Sequence, residues 1–125
     1  MAKPYNPLRA PDPEEWLELD ERQRIDLIVD YHRLRRIKLE SIKAHAAIHA
    51  VVENQIALKE TPVIAALERL MGDGLDRHDA IHAIGSVLSV IIFDVMQKPN
   101  EKFDISKRYH DELAELTVEK WRSDN

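Results

Sequence analysis

The chain has 125 residues, and its 18 Lys and Arg against 23 Asp and Glu leave a net charge of −5. There is no cysteine, which excludes disulfides, thiolate zinc fingers, Cys-ligated iron–sulfur clusters and thiol nucleophiles. Hydrophobic residues make up 44% and charged residues 33%, the composition of a globular soluble domain rather than a disordered one, and the acidic balance disfavours nucleic-acid binding.

The length fits one domain. Pro4, Pro7, Pro11 and Pro13 crowd the start of the chain, so residues 1–12 read as an extended N-terminal arm and 13–125 as a single helical domain. The start lacks an apolar signal core, and no segment approaches the roughly 18–20 uninterrupted apolar residues of a membrane span. The expectation is a cytoplasmic protein with no membrane partner.

Taken in order, the spacing predicts a first short helix over 13–19, with Asp12 as cap, Pro13 at the first helical position and Glu15 three residues beyond the cap. Asp20 caps the next, with Gln23 three residues on, and Ile25, Ile28, Val29 and His32 fall on one face. The stretch 38–59 places Leu39, Ile42, Ala46, His49, Glu53 and Ile56 on one line, and little in the sequence marks a break from the preceding helix near Arg36. Thr61-Pro62 opens a helix with Val63, Leu67 and Leu70 inward, ended by Gly72-Asp73-Gly74. Asp76 caps a helix to about Gln97, with Ile81, Ile84, Leu88, Ile91 and Val95 in line. Over 87–96 it is apolar on most sides, as expected at the centre of a bundle or at a subunit interface, where Trp16 and Trp121 would add contact area. A last helix over 104–122 carries Ile105, Tyr109, Leu113 and Leu116 on one side. No alternating strand pattern occurs, so the expected fold is an all-α bundle of four to six helices.

Four of the six histidines form two HxxxH pairs, His45 with His49 and His78 with His82. Random placement would give roughly 0.2 such pairs. Residues four apart lie roughly 5–6 Å apart at Cβ on one helix face, close enough for two imidazoles to converge on one ion. Glu53 is the next rung after His49. In an up-and-down bundle the helices at 38–59 and 77–97 would run parallel and could bring both pairs to one level. The expected metal ligands are therefore His45, His49, His78 and His82, with Glu53 as a further ligand or as an acceptor behind one. Such nitrogen and oxygen ligation suits a divalent transition metal such as Zn, Fe, Ni or Mn.

The competing reading makes these histidines packed polar residues, bonded to neighbours such as Glu53, Asn54 and Gln55. The chain is then a metal-free interaction module, a homodimer joined through the apolar helix at 87–96. A third reading notes that His78-Asp79-Ala80-Ile81-His82 is similar to the zincin signature HExxH, with Asp79 where the catalytic glutamate belongs. Aspartate is one methylene shorter, and a protease also needs a substrate-binding edge, so hydrolysis is the weakest of the three. No Glu-x-x-His pair of the di-iron bundles occurs, no glycine-rich phosphate loop, and no serine in a nucleophile-elbow context. His32 and His110, each beside a tyrosine, read as structural. Nothing indicates an organic cofactor or names a small-molecule ligand. The basic cluster Arg33, Arg35, Arg36, Lys38 and Lys43 reads as a solvated face offset by Asp26, Asp30 and Glu40.

Trp16-Leu17, Leu19-Asp20-Glu21, Ile25, Tyr31-His32, the run from His45 through Glu53-Asn54-Gln55 to Ala57, and the run from Gly74 through His78 and His82 to Gly85 carry a resemblance. Over roughly residues 13 to 95 the chain resembles a bacterial family of small proteins, a domain of unknown function. The resemblance implies a compact helical protein of the bacterial cytoplasm, and glutamate in place of Asp79 in related chains. It implies no activity, substrate or ligand.

Overall fold

A computed structural model describes residues 4–34, 42–102 and 104–123 of the chain. It is all-helical, with no strand among the described residues. Seven helices follow one another: α1 (Pro13–Glu18), α2 (Glu21–Leu34), α3 (Ile42–Ala57), α4 (Thr61–Gly72), α5 (Arg77–Gln97), α6 (Ile105–Glu115) and α7 (Val118–Ser123). Residues Met1–Glu60 and Thr61–Asn125 each form a compact unit.

In the first unit, α3 packs against both α1 and α2. The helix starts are set by side chains, as the sequence predicts. Asp12 accepts from the Glu15 amide at 3.0 Å, and Asp20 and Gln23 exchange reciprocal bonds, Gln23 N to Asp20 Oδ1 at 2.7 Å and Asp20 N to Gln23 Oε1 at 2.9 Å. The end of α1 is closed by a side chain from α2. Arg24 donates from Nε to the Trp16 carbonyl (3.0 Å) and from Nη2 to the Leu17 carbonyl (2.9 Å), two carbonyls of the last turn of α1. Its third bond, Nη1 to Asn54 Oδ1 at 3.0 Å, reaches α3, where the same oxygen accepts the Trp16 indole N–H at 2.9 Å. One carboxamide oxygen thus ties three helices together.

The core of this unit comprises Tyr5, Trp16, Ile28, Val29, Ala46 and Ala50, with Leu19, Ile25, Leu27, Tyr31 and Ala57 packed against it. Tyr5 and Pro7 are buried, so part of the proline-rich arm is core. Trp16, at 3% exposure, is a core residue and not a surface contact. The proposed break near Arg36 lies outside the described residues, as do Arg35, Arg36 and Lys38 of the basic cluster. α3 ends in a left-handed turn: Lys59 has φ 60°, and the Glu60 amide reaches back to the Gln55 carbonyl at 3.0 Å.

In the second unit α4, α5 and α6 pack pairwise. Val63, Leu67 and Leu70 of α4, Ile81, Ile84, Leu88 and Ile91 of α5, and Tyr109, Leu113 and Leu116 are buried, following the predicted lines. Ile105, placed on the same side by spacing, is 44% exposed at the free end of α6. Gly74, at φ 111°, reverses the chain after α4 so that the Leu75 amide bonds the Leu70 carbonyl at 3.1 Å.

The predicted last helix is divided at Leu116-Thr117, because the Thr117 hydroxyl accepts from the Lys120 amide (3.1 Å) and starts α7 afresh. Arg69 of α4 closes α6, donating to the Leu113 (2.7 Å) and Leu116 (3.1 Å) carbonyls. Arg108 joins α6 to α5 through Asp94 at 2.7 Å. By length and composition α5 is long and apolar enough to cross a membrane, a property it shares with the core helices of bundles. Its buried stripe is matched by an exposed apolar one of Val90, Ile92, Phe93 and Met96.

Two stability changes follow. Asn54→Ala removes the acceptor of the buried Trp16 N–H and of Arg24, and urea titration should show a loss of about 1–3 kcal/mol. Lys59→Gly relieves a left-handed non-glycine residue and should gain about 0.5–1 kcal/mol in the same measurement.

Candidate metal centre

Two groups of imidazoles are built within the two units. In the first, His32 stands on the last described turn of α2, one turn after Ile28, and is fully buried. Its Nδ1 lies 2.7 Å from the Ile28 carbonyl oxygen. A carbonyl only accepts, so Nδ1 carries the proton and the lone pair of the neutral ring sits on Nε2, an atom shielded from solvent. On α3, His45 is half-buried and His49 is 2% exposed. The ring centroids lie 4.9 Å (His32–His45), 5.7 Å (His32–His49) and 6.0 Å (His45–His49) apart, all edge-to-face.

Glu53, one turn after His49, is 1% exposed. Its Oε2 accepts the Tyr5 hydroxyl proton at 2.6 Å, and the same hydroxyl lies 2.8 Å from His49 Nε2. A carboxylate this deeply buried is stable only when hydrogen-bonded, and the N-terminal segment supplies that donor.

In the second unit the pair sits on the first two turns of α5, fixed by the Asp76 cap, whose carboxylate accepts from the Asp79 amide at 2.8 Å. His78 and His82 are half-buried, with ring centroids 4.2 Å apart. Asp79 lies between them in sequence. Burial first, and then the negative charge of Asp76, push its carboxyl above the ordinary value, with Arg122 acting in the opposite direction. The interactions seen for Asp79 are with the helix start and Arg122, and no strand edge for pairing with a peptide substrate exists among the described residues.

Each unit thus gathers imidazoles on its own helices, His32, His45 and His49 in the first and His78 and His82 in the second. All four paired histidines expected from the sequence lie in these two groups, while Glu53 bonds Tyr5. His32 was read as structural, yet a signal for it was present, since it lies on the same helix face as Ile25, Ile28 and Val29 and is therefore turned inward. Tyr5 carried no periodic signal in a proline-rich stretch.

The chain matches no family model, and neither a curated protein nor a solved structure is significantly similar to it.

Proposed function

We propose that the protein binds a divalent transition-metal ion through the imidazoles gathered within its units, His32, His45 and His49 in the first and His78 and His82 in the second. The observation that carries this reading is the close approach of the rings, with centroids 4.9 Å, 5.7 Å and 6.0 Å apart in the first unit and 4.2 Å apart in the second.

The donor set is uncharged and borderline in softness, which suits Zn, Fe(II) or Ni. The tautomer of His32 is already set by a backbone carbonyl, the arrangement by which proteins aim a ligating ring.

A second reading rests on the exposed ridge of α5. Phe93 is 62% exposed and Met96 72%, flanked by Val90 and Ile92, an apolar surface that self-association would cover. A homodimer through this face is compatible with a bound metal and is tested separately.

Protein made without a histidine tag and refed with Zn(II) or Co(II) should hold one ion per chain by elemental analysis. Its unfolding free energy should rise by about 2.7 kcal/mol at a hundredfold excess of ion over Kd. Affinity should fall on acidification, because imidazole ligates only when unprotonated. His82→Gln, at a half-buried position, should weaken binding by more than tenfold with the helical circular dichroism unchanged. Absence of stoichiometric metal after refeeding overturns the proposal. For the second reading, sedimentation should show concentration-dependent dimers that Phe93→Asp converts to monomers.

A further inference from the structure

Within the second unit, α5, α6 and α7 border an open groove of about 370 Å³, the size of a small-molecule site. Part of its lining is apolar: Leu116 is buried, and Val87 and Trp121 are half-buried. Its polar lining is Ser86, Glu112, Glu115 and Lys120. Ser86 gives its hydroxyl proton to the Ala83 carbonyl at 2.7 Å, so towards a ligand its oxygen can only accept. The two carboxylates likewise only accept.

The charge balance has the same sense. Arg108 Nε stands 3.3 Å from Glu112 Oε2, an atom shielded from solvent that accepts no hydrogen bond. The same guanidinium donates from Nη2 to Asp94 at 2.7 Å, so one cation serves two carboxylates. Counting that pair together with Glu115 and Lys120, the groove keeps a net negative charge.

We propose that this groove binds a small organic cation, a primary ammonium carried on an apolar body. An ammonium has three donors and no acceptor, the complement of a hydroxyl that can only accept and two carboxylates. The apolar body covers the surface of Val87, Leu116 and Trp121, which a hydrated inorganic cation would leave in water. An anion of the same shape meets the carboxylates and is repelled, while a neutral one forgoes the charge-assisted bonds. The site uses none of the histidines and lies beyond the metal reading, so either can fail without the other.

Phenethylamine is the probe, with phenethyl alcohol and hydrocinnamate as neutral and anionic companions of similar shape. In a nitrogen-15 NMR titration of the full chain, the amine should give saturable shifts at Ser86, Leu116 and the Trp121 indole, with a Kd of about 1 mM or lower. The alcohol should bind about tenfold more weakly, and hydrocinnamate more weakly still. Glu115→Gln should weaken amine binding about two- to fivefold, and Lys120→Gln should tighten it by a similar factor, both positions being exposed. Added salt should weaken the amine and leave the alcohol unchanged. Equal affinity for alcohol and amine, tighter binding of hydrocinnamate, or shifts that map away from the groove overturn the proposal. An amine affinity that changes with protein concentration assigns the groove to a second copy of the chain, and overturns it as well.

Discussion

The first unit is organised by the need to satisfy polar groups that α3 carries inward. Glu53 and His49 are almost fully buried, and Asn54 beside them is half-buried. An unpaired buried carboxylate would cost several kcal/mol or simply stay protonated, so the fold persists only if donors reach it. Those donors come from far along the chain. Tyr5 reaches Glu53 and His49, while Trp16 and Arg24 reach Asn54. The position of the N-terminal segment, of α1 and of α2 against α3 is specified by these bonds more than by apolar burial, which would tolerate several registers.

Helix ends show the same economy in both units. Arg24 closes α1 and Arg69 closes α6, each reaching two carbonyls at the helix end. A guanidinium presents several donors in a fixed plane and so can serve two acceptors at once, which an ammonium does less well. Both short helices are thereby held by side chains from longer neighbours, since a helix of 6 residues such as α1 has too few internal bonds to persist alone.

Much of this was legible in the sequence, and the reasons are local. Asp12, Asp20, Asp76 and Asp104 lie where capping chemistry demands a short acceptor, and the lines Val63–Leu67–Leu70 and Ile81–Ile84–Leu88–Ile91 follow the helical period. The HxxxH pairs were visible because their spacing is a property of one helix. His32 as a neighbour of His45 and His49 was harder to see, because it depends on which helix packs beside α3, and a lone histidine on an apolar face gives no sign of the rings it will meet. Tyr5 was illegible for a similar reason. Its function is a contact across 48 residues of chain, and prolines on either side suppress any period that would have marked it as inward-facing. The division at Leu116-Thr117 turns on one hydroxyl competing for the Lys120 amide, a balance that composition does not reveal.

The clamps that hold the helices and the groups that form the candidate centre belong to different chemical classes. Guanidinium, carboxamide and indole groups keep their charge and hydrogen-bonding pattern across the biological pH range, whereas imidazole does not. Scaffold and centre are thus sensitive to different variables. The joints made by Arg24, Asn54, Trp16 and Arg69 therefore involve no group that changes charge near neutral pH, and the helices they join stay joined whatever the imidazoles bind.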